Sequence, residues 1–239
     1  MLIKKVLILT GGDSNMRNVL DLTLPSKEKY AKKHGYDFIV KRSFDEEMIK
    51  YNLGLGFIRA IMVFNYLEEY DVVMWIDGDS IITNDSFSIE QFINDSHCFY
   101  ASYDWHCCEN SKFNRYSFST GNFIVKKDKN TSKLFNAFLD FSKKVFKNDP
   151  LAEQAVFNFI YENTELKNLF SILNHKYLGS VPTCVKKVNN WINHPERFGS
   201  EATCPIENPW NSECFLAHLT GCSNEGRIEL LINDFAEYL

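Results

Sequence analysis

No run of apolar residues in this 239-residue chain is long enough to cross a bilayer. Met1-Leu2-Ile3-Lys4-Lys5 leads into only Val6 to Thr10 before Gly11-Gly12-Asp13, too short a core for a secretory leader. The seven cysteines include no Cys-x-x-Cys pair and no regular Cys/His spacing, which argues against a structural zinc site. Their odd number, with Cys107 and Cys108 adjacent, fits reduced thiols better than a disulfide framework. Positive charge is not in excess. The 26 basic residues face 31 acidic ones, and a net charge of −5 gives a nucleic-acid partner no general support. Repeats, linkers and low-complexity tracts are missing too. These absences lead to the expectation of one soluble, cytoplasmic domain over residues 1–239, long enough to bury a sizeable core. Aromatic residues, by contrast, are plentiful, with 20 Phe and 11 Tyr. They form either a Phe-heavy core or, in part, the lining of a binding site.

The most informative stretch is Val72-Val73-Met74-Trp75-Ile76-Asp77-Gly78-Asp79-Ser80. Its apolar part reads as a buried parallel strand. Open α/β sheets bind ligands beyond the carboxyl ends of their strands, which is where the two aspartates stand. In extended backbone, residues two apart lie about 6.6 Å from each other, too far to share an ion. Gly78 permits a bend that brings the carboxylates together. Mg²⁺ or Mn²⁺ held by one or two carboxylates completes its shell with water and substrate phosphates. A metal–diphosphate site is the reading with consequence; a turn opened by Asp79-Ser80 is the plain one.

Around this motif the pattern alternates strands with helices, which implies a parallel sheet. Val6 to Thr10 is a first strand, and Thr10, Gly11 and Gly12 at its end are candidates for close approach to a nucleotide. A helix is expected from Thr23-Leu24-Pro25-Ser26, capped by Thr23 or Ser26 and ended by Gly35. Tyr36 to Lys41 is a strand, Phe57 to Glu69 a helix, and Ile89 to Ile93 a short helix. Cys98 to Tyr103 and Asn122 to Lys126 are strands, the latter entered through Thr120-Gly121. A helix capped by Asn130 or Thr131 runs to about Phe146, and Pro150 opens another. Residues 176–210 read as loop with short strands. Phe215 to Leu219 is a last strand and Ile228 to Leu239 a closing helix.

His218 lies inside that last strand, just before Thr220-Gly221. Alone it reads as a core histidine; beside two strand-end aspartates it becomes a candidate third ligand, and an imidazole suits Mn²⁺ better than Mg²⁺. Five blocks, in order, now carry a resemblance. They are Tyr30 to Asp37 (YAKKHGYD), Trp75 to Asn84 (WIDGDSIITN), Ser119 to Val125 (STGNFIV), Glu153-Gln154-Ala155, and His218 to Cys222 (HLTGC). In these blocks the chain resembles glycosyltransferase family 34, galactosyl-, mannosyl- and xylosyltransferases of GT-A fold.

The resemblance implies an α/β nucleotide-diphospho-sugar transferase fold of GT-A type, with a mostly parallel central sheet flanked by helices. It implies retaining transfer of a hexose or pentose from a UDP-sugar to an acceptor hydroxyl on a glycan or other acceptor, with Mn²⁺ or Mg²⁺. Asp77, Asp79 and His218 would hold the metal, and Asp77 and Gly221 would border the donor. Gln154 would support positive charge at the anomeric carbon, Glu153 would orient the sugar hydroxyls, and Asp104 would contact the sugar. Glu153 also suits an ordinary helix N-terminus. Trp105 would stack on a sugar or simply pack, and Asn122 is a weaker candidate. Arg59 either holds the diphosphate or solvates a helix face. Ser223 replaces the family's diphosphate-binding lysine, and Arg227 is the candidate substitute. The family's usual Golgi anchor is not seen, which points to a bacterial or viral enzyme of the cytoplasm. Two other classes share the strand-end DxD or the fold. One is a haloacid-dehalogenase-like phosphatase, although Ile81 stands where that family wants Thr or Val. The other is a non-catalytic nucleotide-sugar-binding module.

Overall fold

The computed structural model describes residue 3 and residues 5–104, 117–146, 152–185 and 209–239. Six strands form the central sheet, in the order β2-β1-β3-β6-β5-β7. They are β1 (Val6–Gly11), β2 (Asp37–Lys41), β3 (Val72–Asp77), β5 (Phe99–Tyr103), β6 (Phe118–Lys126) and β7 (Phe170–Leu173). β1 pairs in parallel with β2 and β3, and β5 with β7. Only β6 runs against its neighbours, β3 and β5. The sheet is thus mostly parallel, but β3 is parallel on one side alone. A separate antiparallel pair joins β4 (Ser80–Ile82) to β8 (Leu216–His218).

Alternate residues of each strand enter different cores. Leu7, Leu9, Val73, Trp75, Phe99 and Phe123 face α3 (Leu55–Tyr66), α4 (Thr131–Lys144) and α5 (Ala152–Asn163). Ile8, Met74, Ile76, Tyr100 and Ile124 face the other way, onto Tyr30 and Ala31 of α1 (Arg17–His34) and onto Phe215 and Leu216. Both faces are buried, so the strands read as continuous apolar runs. The abundant phenylalanines largely build the first core: Phe157 lies with its ring centroid 4.5 Å from Phe99 and 4.7 Å from Phe138.

Several element edges differ from the sequence reading. α1 begins at Arg17, not at Thr23. The Asp13 carboxylate accepts the Asn15 and Met16 amides and starts a 3-10 turn, Ser14–Met16, that runs into the helix. Pro25 therefore sits inside α1, where it offers no N–H to the preceding turn. Thr23 and Ser26 do not cap; their hydroxyls donate to carbonyls, Thr23 to Leu20 and Gly78, Ser26 to Thr23. Burial of Val19, Leu20, Tyr30 and Ala31 outweighs the proline. Gly35 ends the helix in the left-handed region, φ 71°, as expected. Asn130 precedes α4 without a side-chain cap, and the Thr131 hydroxyl instead accepts the Asp128 amide.

β6 begins at Phe118, so Thr120 and Gly121 belong to the strand. The last helix, α7 (Asn224–Asp234), starts earlier than Ile228, because Ser223 caps it by accepting the Gly226 amide; a 3-10 turn, Ala236–Tyr238, follows. Two further helices, α2 (Asp45–Tyr51) and α6 (His175–Leu178), were not expected. Pro150, Trp105, Cys107, Cys108 and positions 186–208 lie outside the described residues. Among the described residues no helix is long and apolar enough to cross a membrane, and Cys98 and Cys214 are free thiols.

Phe157 is fully buried among five other phenylalanine rings, so Phe157→Ala leaves a cavity its neighbours cannot fill. A loss of about 3–5 kcal/mol is expected in urea unfolding. A loss under about 1 kcal/mol would show that this core collapses around the gap.

Candidate functional site

β3 delivers Asp77 to the carboxyl edge of the sheet, and β4 resumes at Ser80. Gly78 lies between them for a reason other than a positive φ. A Cβ there would stand 3.0 Å from the Gly11 carbonyl and 3.6 Å from Met16 Cε, so glycine is set by the closeness of the β1 end. β8 then pairs His218 opposite Ser80. His218 Nε2 lies 3.4 Å from Asp79 Oδ1 and 3.7 Å from Asp77 Oδ2. One ligand atom from each of the three residues falls within 4.8 Å of the others.

Each carboxylate is only half committed to protein donors. Asp77 Oδ1 accepts from Arg59 at 2.6 Å and from the Trp75 indole at 2.7 Å. Asp79 Oδ2 accepts from Arg227 at 2.8 Å. The other oxygen of each carboxylate is the one nearest His218. Burial opposes the charge on Asp79, but His218, Arg227 and Lys27 outweigh it and hold this carboxyl well below the usual range. Burial also pulls His218 down, yet Asp79 and Asp77 more than restore it, and the imidazole holds its proton above the ordinary value.

Arg59 does not solvate a helix face. Its guanidinium bridges Asp77 to the buried Glu153, and both pairs keep it charged against the cost of its burial. Glu153 Oε1 also accepts from the Thr120 hydroxyl at 3.0 Å, while Oε2 has no partner. Burial pushes the Glu153 carboxyl up to about 6, against the pull of Arg59. Its neighbour Gln154 is fixed at both ends of the amide: Nε2 donates to Asp104 at 2.9 Å and Oε1 accepts the Thr120 amide at 3.2 Å. Asn122 supports rather than lines the site, accepting the Asp77 amide and donating to the Leu178 carbonyl.

A cleft of about 340 Å³ opens beside the acid pair. Gly11, Gly12, Arg59, Asp77, Asp79 and Arg227 line it, with Asp13, Phe44 and Trp75 among the others. Thr10 does not: its hydroxyl turns inward and donates to the Ile76 carbonyl at 2.6 Å. Gly221 stands in the turn after His218 at φ 73°. Asp104 and Gln154 form a pair tied to Asp77 through Thr120, Glu153 and Arg59.

Lys27 was not among the sequence candidates. Its Nζ is buried behind the acid pair and donates to the Asp77 carbonyl at 2.8 Å. Burial pulls its amine down to about 7, with Asp79 and Asp77 drawing it back up. The signal that could have found it is its place on the buried stripe of α1, four residues after Thr23 and three before Tyr30.

Gly121 sits against the cluster. A Cβ there would overlap His218 Cε1 and stand 3.0 Å from Asp77 Oδ2. Gly121→Ala is therefore expected to displace His218, weaken any divalent-cation binding at least about tenfold, and lower stability by about 1–3 kcal/mol. Calorimetric titration with Mn²⁺ and thermal melts check this; unchanged binding would show that the imidazole is not needed there. The raised Glu153 carboxyl predicts a pH effect. A folded value above the unfolded one favours the protonated form, so this stabilisation is complete below about 4.5 and lost as pH rises through about 6. The stability of the native chain minus that of Glu153→Gln should therefore fall across this window and then level off. A difference that climbs with pH in melts from pH 4.5 to 7 would mean that Arg59, not burial, governs Glu153.

The crystal structure of a glycosyltransferase involved in glycosylation of the major capsid of PBCV-1 matches at 18% identity and a TM-score of 0.64, covering 96% of this chain and 99% of that one. The galactosyltransferase LgtC in complex with donor and acceptor sugar analogues matches at 15% identity and 0.55, covering 98% and 100%. Mouse xyloside xylosyltransferase 1 matches at 12% identity and 0.51, covering 91% and 97%. At such identities these likenesses show the fold, which is the α/β GT-A type. No curated protein matches the chain in sequence. Residues 27–187 match the family model DUF273, described as a protein of unknown function, and the chain belongs to that family.

Proposed function

We propose that residues 1–239 form one domain that is a metal-dependent, retaining glycosyltransferase. It moves a hexose or pentose from a UDP-sugar to a hydroxyl of a glycan or another acceptor. The observation that carries the reading is the convergence of Asp77, Asp79 and His218 beside a cleft floored by the main chain of Gly11 and Gly12. The GT-A fold and the sequence resemblance to family 34 support it.

The donor set fits a divalent cation. Two carboxylates each keep an oxygen toward a buried imidazole, and arginines satisfy the remaining oxygens. Mixed oxygen and imidazole donors suit Mn²⁺ more than Mg²⁺. Bound by Asp77, Asp79 and His218, the cation would supply charge neutralisation for the departing diphosphate. Arg227 reaches the cleft from α7 and takes the part of the lysine that Ser223 replaces. Its Nε and Nη1 are held by the Leu219 carbonyl and by Asn224, so its position is fixed before any ligand arrives.

Gln154 presents an amide locked by Asp104 and Thr120, a rigid dipole for positive charge at the anomeric carbon. Glu153 is buried and shared between Arg59 and Thr120, which suits an orienting role and not that of a nucleophile. Retention then proceeds by front-face displacement. The free thiols of Cys98 and Cys214 fit a reducing compartment. The motif follows β3 and not the first strand, which is unlike the phosphatase alternative.

A thermal-shift screen of nucleotide sugars with and without Mn²⁺ tests the reading. A cognate donor at a hundred times its dissociation constant should stabilise the protein by about 2.7 kcal/mol, and only with the metal. Asp77→Asn and Asp79→Asn should lower transfer on the order of a hundredfold or more while the fold persists. Full transfer by either variant, or a glycosyl-enzyme trapped on Glu153 or Asp104, would overturn the mechanism. Mn²⁺-dependent binding of UDP without hydrolysis or transfer would make the chain a binding module.

A further inference from the structure

A lysine with no exposed surface stands against the main chain of the acid pair and does not line the cleft. Its hydrogen bonds run to hydroxyls and main-chain carbonyls, and among the described residues none runs to a carboxylate. Nζ donates to the carbonyls of Asp77 at 2.8 Å and Gly78 at 3.5 Å, and to the hydroxyls of Thr23 at 3.1 Å and Thr10 at 3.2 Å. The two threonines act in the same sense. Thr10 donates to the Ile76 carbonyl at 2.6 Å, and Thr23 to the Gly78 carbonyl at 2.7 Å. Three consecutive carbonyls, Ile76 to Gly78, are thus each gripped from behind by one unit drawn from β1 and α1. These carbonyls belong to the turn that aims the Asp77 and Asp79 side chains. A core that needed only packing would place an aliphatic residue there, because burying an ammonium is costly.

We infer that Lys27 is a positioning residue, which with Thr10 and Thr23 clamps the Ile76–Gly78 carbonyls so that the Asp77 and Asp79 carboxylates converge on His218. The clamp is a property of the turn itself. Its consequence for a bound cation rests on the glycosyltransferase reading above. Lys27 touches neither donor nor acceptor; it acts through the main chain of the residue it holds.

Lys27→Met keeps the length and packing of the stem and removes the donor. Thr23→Val keeps the shape of Thr23 and removes its donation to the Gly78 and Leu20 carbonyls and one acceptor of Lys27, while the Asp77 carbonyl keeps its bond from Lys27. Amide hydrogen exchange on both variants reads the clamp without reference to metal. Exchange at residues 77–80 should quicken roughly tenfold or more in Lys27→Met, and less in Thr23→Val, while β5 and β6 change by under about twofold. Mn²⁺ alone, titrated by electron paramagnetic resonance, should bind Lys27→Met at least about tenfold more weakly than the native chain. Native exchange at 77–80 in a folded Lys27→Met, or equal loosening of every strand, would overturn the inference. If Lys27→Met does not fold, Thr23→Val decides: unchanged exchange at 77–80 overturns the clamp, and local loosening supports it. Failure of the native chain to bind Mn²⁺ would remove the metal reading and leave the exchange comparison to judge Lys27.

Discussion

The site exists because two three-residue strands pair. β4 follows the acid motif, β8 comes from the far end of the chain, and their register sets His218 against Ser80. So short a ribbon has little stability of its own. It is held by main-chain bonds that extend it at both ends. Thr83 and Asn84 donate to the Phe215 carbonyl, and Leu219 donates to the Asp79 carbonyl. A small core of Val19, Ile81, Ala217, Leu219 and Leu231 covers it. Slippage by one residue would turn the imidazole to the opposite face. The large sheet builds the platform; this small pair decides whether Asp79 and His218 meet on it.

Around that pair, buried charge is arranged as a network rather than as isolated bridges. Arg59 joins Asp77 to Glu153, Arg227 joins Asp79 to the β8 turn, and Lys27 sits behind both aspartates. Such groups are costly to bury and contribute little net stability. Their value is geometric. Each arginine takes one oxygen of an aspartate and Lys27 takes carbonyls of the turn, which leaves a defined direction for the other carboxylate oxygens. Gln154 is treated in the same way, with both ends of its amide occupied. A candidate site built like this has its side chains held before it binds anything, and preorganised donors lose the least on binding.

Much of the architecture was legible because strand periodicity and buried runs are local signals. Val72 to Ile76, Val6 to Thr10 and Cys98 to Tyr103 are found within a residue or so of their expected edges. The acid pair and His218 were legible as residue types at strand ends, although only the fold brings them within reach of one another. What local pattern hid was non-local. The start of α1 was misplaced because Asp13 caps a turn that leads into the helix, and because tertiary burial carries the helix through Pro25. Gly78 was expected to serve a bend, but the nearby Gly11 carbonyl explains it. Lys27 escaped because a lysine in a helix ordinarily means solvent. Thr10 was expected to face a nucleotide and faces inward, since its hydroxyl is one of the bonds that hold the β3 end.

The order in which the ribosome emits these parts has a consequence. Thr83 and Cys214, bonded across the small ribbon, are 131 residues apart. At usual rates of synthesis the acidic turn waits roughly ten seconds for its imidazole. The amine of Lys27 and the hydroxyls of Thr10 and Thr23 come earlier in the chain than that turn. A nascent polypeptide therefore already holds the groups that steady its acidic turn, while it cannot yet assemble the complete three-residue cluster. The cluster closes only once β8 has emerged and paired with β4.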